Sequence, residues 1–429
     1  MAGLKQSLRR EIVARQNEMA ALTRDLIRMP TLNPPGVGYL EICEYLAKRL
    51  KSRGFETELV RAHATPGDSD KYPRWNMIAR HNGRFPGQCV HFNSHIDVVE
   101  VGSGWTVDPF GGELRDGKIY GRGSCDMKGG LAASIIAAEA FVDLCPDYSG
   151  AIEISGTADE ETGGFGGVAY LAQKGYFSPE RVQHVIIPEP LNKDRICLGH
   201  RGVWWAEIET KGRIAHGSMP FLGDCAIRHM GAVVAEMEKT LFPALAKRTT
   251  EMPVVPEGAK QSTMNINSLH GGLGEPKDGF DGFPAAIVPD SCRMIIDRRY
   301  LIEEKPDQVR AEIIDLLERV KKNRPGFSYD VHEMWQVAPT MTKRDAPVVV
   351  SVAEAISEVF GRGPQYVVSP GTYDQKHIAR IGKMKNCIAY GPGILDLAHQ
   401  SDEYVGLSDM VESAEVMALS LVDLLAGRD

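Results

Sequence analysis

Leu8, Ile12, Met19, Leu22 and Leu26 recur at helical spacing through the opening segment, and Pro30 closes that run. The sequence NPPG (33–36) reads as a turn. A second amphipathic helix follows it, with Ile42, Leu46 and Leu50 on one face and Gly54 as its stop. Strand-like apolar runs then alternate with helices. Strands are predicted over 76–80, 88–93, 151–157 and 183–188, an alanine-rich helix over 129–143 and a further helix over 164–174. This alternation predicts a mainly parallel or mixed sheet covered by helices.

The pattern changes near residue 201. VWWAEIETKG (203–212) alternates like a half-exposed strand, a helix covers about 224–241, and two strand-like runs follow at 263–272 and 292–300. The next helix carries Val309, Ile313, Leu316, Leu317 and Val320 on one side, and a strand over about 326–335 completes the series. Strand–helix–strand–strand–helix–strand is the split βαβ order of a ferredoxin-like domain. After VAPT (337–340) the β/α style resumes. The predicted class is therefore α/β: residues 1–200 and 337–429 form a mixed-sheet domain covered by helices, and 201–336 form an inserted α+β domain. A length of 429 residues agrees with two cores.

Composition narrows the partners. The chain is 43% hydrophobic and 25% charged with a formal net charge of −8, which argues against nucleic acid or an anionic membrane as the main partner. Eight scattered cysteines without a CxxC pair read as reduced thiols, not as a disulfide framework or a thiolate zinc site. The opening segment has no apolar core of a leader, and no stretch approaches the length of a bilayer span. A cytoplasmic location is the expectation.

Five stretches carry candidate chemistry. HFNSHIDVV places His95 and Asp97 two residues apart, on the same side of an extended chain. GRGSCDMKGG puts Asp126 in a glycine-rich bend before a helix, and GTADEETGG puts Asp159, Glu160 and Glu161 between a strand and a helix. HVIIPEP places Glu189 after an apolar strand, and LDLAHQSDEYV contributes His399. Each has an ordinary structural reading alone: a satisfied strand-end histidine, a solvated helix start, a proline-flanked turn. Their joint placement at strand ends, where α/β sheets bind ligands, shifts the balance.

Three converging carboxylates would repel one another and raise their pKa values unless cations intervene. With Asp126 bridging, and His95, Glu161, Glu189 and His399 as terminal ligands, two divalent ions and a hydroxide give a neutral sum. Nitrogen and oxygen donors suit zinc, manganese or cobalt alike. Asp97 can then accept the other ring N–H of His95, and Glu160 is left as the general base that deprotonates water. Cys125, beside Asp126, reads as a small packed side chain.

SHIDVV, GRGSCDMKGG, DEETGG, PEP, GRIAHGSMP and AHQSDEYV occur in the order and spacing of the M20 family of metallopeptidases and deacylases, which the chain resembles over essentially its whole length. The family includes acetylornithine deacetylase and succinyl-diaminopimelate desuccinylase. The resemblance implies a zinc-peptidase-like catalytic domain with an inserted lid that mediates homodimerisation. It implies His95, Asp126, Glu161, Glu189 and His399 as ligands of a two-metal site, Glu160 as general base and Asp97 as the partner of His95. It adds His216 as an oxyanion donor reaching the partner subunit's site. Asn265 and Arg298 match positions that hold a substrate carboxylate. Gly371 and Thr372 match a loop lining the site, although the flanking Pro370 and Tyr373 depart from the pattern and a structural turn is an equal reading.

The implied reaction is hydrolysis of an amide C–N bond in an N-acyl amino acid. A second reading keeps the site but changes the bond, to an aromatic amine or a carbamoyl compound, with Trp204, Trp205, Trp335 and Tyr373 flanking a flat substrate, although tryptophans in such an insertion are more often core or dimer packing. A third, a scaffold that has lost activity, would show a missing ligand or base, and none is missing.

Overall fold

The computed structural model describes residues 2–272 and 285–426. Contacts divide the chain into two units, one comprising 1–199, 341–367 and 373–429, the other 200–340 with the short segment 368–372.

The opening helical run is two helices, Ala2–Ala14 and Gln16–Ile27, separated at Arg15 (φ −91°, ψ 11°), with the expected apolar residues buried. Arg15 leaves the helical path to reach Glu18 at 2.7 Å and the buried Glu139. Helix Tyr39–Ser52 buries Ile42, Leu46 and Leu50, and the chain turns at Gly54 (φ +86°), where a side chain would be strained.

The first unit is organised by a nine-stranded sheet. Within it run, in order, Glu56–Ala62, Arg74–Asn82, Ser149–Thr157, Phe85–His95, His184–Ile187, Cys387–Ala389 and Arg195–His200. Phe85–His95 pairs in parallel with both Ser149–Thr157 and His184–Ile187, and Cys387–Ala389 continues the parallel set. Arg74–Asn82 and Arg195–His200 pair antiparallel on either side, so the sheet is mixed. Helix Gly129–Leu144 is buried over nearly its whole surface, as an apolar, alanine-rich helix must be. Leu407–Leu425 packs against it and against Pro347–Phe360.

The helix expected over 164–174 shrinks to a wide turn, Phe165–Ala169, and one short helix, Tyr170–Gln173. Gly163 (φ +107°) and Gly164 (φ +77°) hold left-handed conformations that delay the helix start.

The second unit carries a four-stranded antiparallel sheet in the order Thr263–Gly271, Ser291–Tyr300, Gly202–Lys211, Ser328–Val337. With helices Ala226–Glu236 and Pro306–Asn323, this is the ferredoxin-like arrangement. Its core joins Trp204, Ala206 and Ile208 to Met294 and Ile296 and to the predicted helix face at Val309, Ile313, Leu316 and Leu317.

Candidate metal centre and active site

Three adjacent parallel strands open their carboxyl ends on one edge of the sheet. Phe85–His95 finishes on His95, Ser149–Thr157 leads into Glu160 and Glu161, and His184–Ile187 is followed two residues later by Glu189. Asp126 enters from the bend Ser124–Lys128, with extended dihedrals (φ −118°, ψ 97°), and His399 from a loop in the left-handed region (φ 64°).

The donor atoms of His95, Asp126 and Glu189 all lie within 4.8 Å of one another, and so do those of Asp126, Glu161 and His399. Asp126 belongs to both groups and shows a different oxygen to each. Its Oδ1 is 3.0 Å from His95 Nε2, and its Oδ2 is 3.5 Å from His399 Nε2, which also meets Glu161 Oε1 at 3.2 Å.

The electrostatics expose a shortage of positive charge. Burial pushes the Glu161 carboxyl up to about 7, with Asp126 adding to the effect and the His399 hydrogen bond opposing it. Burial and then the Asp126 charge push Glu189 well above the usual carboxylate range. For Asp126, burial acts upward but the hydrogen bonds from His399 and His95 outweigh it. Three carboxylates and two imidazoles converge as two triads with one shared member. That donor set fits two divalent cations, whose charge would offset the repulsion.

Asp97 is fully buried and organises the turn beside it. Its Oδ1 accepts the Glu160 N–H at 3.2 Å, and its Oδ2 accepts the Glu161 N–H at 3.1 Å and Asn33 Nδ2 at 2.8 Å. His95 Nδ1 faces the Asp97 carbonyl at 3.0 Å and its Oδ1 at 3.6 Å. Asp159 points elsewhere, to Arg74 Nε at 3.0 Å and the Tyr39 hydroxyl at 3.1 Å. Glu160 Oε1 accepts Lys376 Nζ at 2.8 Å.

Sequence reasoning passed over three supports. Asn33, read as part of a turn, clamps Asp97 and also donates to Thr162 Oγ1 at 2.9 Å. Buried Glu403 accepts the backbone N–H of Cys125 at 2.9 Å and of Asp126 at 3.1 Å, and is paired with buried Arg122. Arg122 also donates to the His399 carbonyl at 3.1 Å, so one ion pair ties the Asp126 bend to the His399 loop. The acidic residues beside His399 in QSDEYV were a visible signal for this; nothing local singles out Arg122.

The second unit holds the other candidates. His216 is exposed in the short strand Ala215–His216, and its Nδ1 accepts the Ser218 N–H at 3.2 Å. Asn265 is exposed and donates to Asn267 Oδ1 at 2.8 Å. Arg298 requires a correction. Its side chain is fully buried, donating to Ser262 Oγ at 2.6 Å, the Arg299 carbonyl at 2.7 Å and Glu304 Oε1 at 2.6 Å, which leaves it no face for a substrate carboxylate. The alternation of CRMIIDRRY carried the signal: Cys292, Met294, Ile296 and Tyr300 are the buried set, and Arg298 shares their parity. Arg299 points the other way, half-buried, in a two-pronged pair with Asp297 at 2.7 and 2.9 Å.

Gly371 and Thr372 are half-buried. A Cβ on Gly371 would meet only Ser369 Oγ, at 3.8 Å, so packing does not demand glycine there. The aromatic flanks of the second reading also need correcting. Trp204 is a core residue bonded to Glu333 at 2.9 Å, and Tyr373 is buried with its hydroxyl on Gln375 at 2.6 Å, so neither is presented to a substrate. Trp205 and Trp335 pack edge to face with centroids 5.9 Å apart.

A mixed sheet with a carboxylate–imidazole double triad at its strand ends, joined to a ferredoxin-like insertion, defines a metallohydrolase. Residues 91–423 match the model of peptidase family M20/M25/M40, and the chain belongs to that family. It is accordingly a hydrolase of C–N amide bonds. The chain is 30% identical to succinyl-diaminopimelate desuccinylase of Stenotrophomonas maltophilia over 91% of its own length and 94% of the relative's. It is 28% identical to the enzyme of that name from Acinetobacter baylyi, over 94% and 98%. Among solved structures, human carnosine dipeptidase 1 superposes with a TM-score of 0.73 at 19% identity, covering 98% of each chain. An M20 family metallo-carboxypeptidase from Sulfolobus solfataricus gives 0.74 at 19% identity, over 95% of this chain and 99% of the other. These two likenesses speak for the fold.

Proposed function

We propose that the chain hydrolyses the amide bond of an N-acyl amino acid or N-acyl diamino acid, with N-succinyl-diaminopimelate and N-acetylornithine the first substrates to test. The carrying observation is the double triad sharing Asp126, with Glu160 fixed beside it. The desuccinylase relatives support the substrate class.

His95, Asp126 and Glu189 would hold one divalent cation, and Asp126, Glu161 and His399 a second; zinc, manganese and cobalt all suit these donors. When bound, such ions polarise an acyl oxygen and lower the pKa of water. With a cation bound, the His95 ring would keep its proton on Nδ1, facing the Asp97 carbonyl at 3.0 Å, and turn its Nε2 lone pair to the metal. Glu160 takes a proton from the attacking water and returns it to the departing amine. On His216, Nδ1 is engaged by Ser218, with Oγ at 2.7 Å and the N–H at 3.2 Å, which leaves Nε2 as the ring nitrogen that would donate to the oxyanion.

In a homodimer formed through the inserted unit, His216 would serve the partner subunit's site. Arg299, in place of Arg298, and Asn265 would hold the substrate carboxylate; a guanidinium suits that task because it binds both oxygens. Gly371 and Thr372 complete the proposed substrate loop. The reading places the enzyme in the cytoplasm. Among the described residues no helix is long and apolar enough to cross a membrane, and none of the cysteines is in a disulfide.

The test is a panel of N-succinyl, N-acetyl and carbamoyl amino acids and aryl amines offered to metal-replete protein. Released carboxylic acid with free amino acid is expected, and Glu160→Ala should abolish it while metal still binds. Ammonia release from aryl amines, or a fully active Glu160→Ala enzyme, would overturn the reading.

A further inference from the structure

Lys376 enters the site from helix Gln375–Arg380 with its side chain 2% exposed, and its ammonium meets Glu160 Oε1 at 2.8 Å. Taking an ammonium out of water costs several kcal/mol, so its placement needs compensation. The compensation is local. Burial acts against the charged form, but the negative charges of Glu160, Asp374 and Glu189 more than offset it.

Asp374 is itself anchored from below. It is 1% exposed, and Asn93 Nδ2 donates to its Oδ2 at 2.8 Å. From Asn93 the hydrogen bonds continue through Ser155 (2.8 Å) to His91 Nε2 (2.7 Å), and from His91 Nδ1 to Glu153 (3.1 Å). These side chains form rungs across two neighbouring strands, His91 opposite Glu153 and Asn93 opposite Ser155, with His95 opposite Thr157 at the site end. A polar ladder thus occupies a sheet face where apolar packing would be cheaper. It ends on a fixed acid two residues before Lys376.

We infer that Lys376 is the positioning residue of Glu160. By occupying Oε1 it fixes the rotation of that carboxylate and leaves Oε2 as the oxygen that takes the proton. The inference rests on the reading of Glu160 as general base. An ion pair that merely stabilised the fold would be dispensable for turnover.

The test compares Lys376→Met, Lys376→Arg, Glu160→Gln and the Lys376→Met/Glu160→Gln double variant, on whichever N-acyl amino acid of the panel the wild type hydrolyses. Metal content and melting temperature are recorded for each. A misplacement of about 1 Å costs on the order of 100-fold in rate. Lys376→Met should therefore lose about 100-fold in kcat, with KM and metal content nearly unchanged. Lys376→Arg should recover to within about tenfold of wild type, because it restores the charged donor. The double variant should be no slower than Glu160→Gln alone, as expected of residues acting as a unit.

A Lys376→Met enzyme with wild-type kcat, an arginine variant as slow as the methionine one, or additive losses in the double variant would overturn the inference. If Lys376→Met fails to fold, Lys376→Arg decides: near-wild-type turnover supports the role, and a folded enzyme as slow as Glu160→Gln refutes it. Full activity in Glu160→Gln defeats the proposed function itself, whereas a dead Glu160→Gln beside an unimpaired Lys376→Met defeats this inference alone.

Discussion

Replacing Asp97 by alanine removes the side-chain acceptor of three donors at once. Asn33 Nδ2 stands at 2.8 Å and the N–H groups of Glu160 and Glu161 at 3.2 and 3.1 Å, while His95 Nδ1 keeps the backbone carbonyl it meets at 3.0 Å and loses only the carboxylate 3.6 Å away. Losing a residue that hydrogen-bonds a metal ligand, as Asp97 does the proposed ligand Glu161, typically costs 10- to 100-fold in metal affinity, or about 1.4–2.7 kcal/mol. The backbone N–H groups add a further term, since a buried donor left unsatisfied costs about 1–3 kcal/mol. Because those groups belong to Glu160 and Glu161, their loss loosens both the proposed base and a proposed ligand. Titration of metal-free protein with zinc against a competing chelator should show affinity reduced by about 10- to 100-fold. Hydrogen exchange should show faster exchange at the amides of 160 and 161. Unchanged affinity together with unchanged exchange in a folded Asp97→Ala protein would refute the assignment.

The Arg122–Glu403 pair ties two loops together, and breaking a buried pair costs about 3–5 kcal/mol. Arg122→Met should lower the urea midpoint and weaken zinc binding in parallel, whereas Glu403→Gln, which keeps an acceptor for Asp126, should do so less. Glu153 offers a pH test. Burial acts upward on its carboxyl, but the hydrogen bond and charge of His91 and the nearby Arg181 hold it down at about 2 against an ordinary 4.5. A depressed carboxyl adds stability above its unfolded value and loses it as pH falls through the folded one, so the contribution, about 3 kcal/mol, should fade between pH 4.5 and 2. The unfolding free-energy gap between wild type and Glu153→Gln should narrow as pH falls over that window. Finally, Arg298→Met should lower stability with little change in KM, while Arg299→Ala should raise KM with little change in melting temperature.

Much of the candidate site was legible because its proposed ligands sit where strand periodicity ends. His95, Glu161 and Glu189 each close an apolar run, and the two-residue spacing of His95 and Asp97 announced a shared face. The inserted unit was legible from alternation in VWWAEIETKG and from the single apolar stripe of helix Pro306–Asn323. What escaped acts across long sequence separations: Asn33 on Asp97, Arg122 on Glu403, Lys376 on Glu160. Nothing local marks these residues, since each does its work through a hydrogen bond made only in the fold. Arg298 is a different case. Its parity with Met294 and Ile296 was visible, and motif matching outweighed it. Similarly, the glycines of TGGFGG spoke against a helix starting at 164, and the apolar residues that follow obscured them.

The account stands on two cations sharing Asp126. Crystals grown with zinc and measured at its absorption edge should show two anomalous peaks per chain. One should lie among His95, Asp126 and Glu189 and the other among Asp126, Glu161 and His399, and both should be lost in Asp126→Ala. Peaks absent from this cluster, or two peaks persisting without the Asp126 carboxylate, would contradict it.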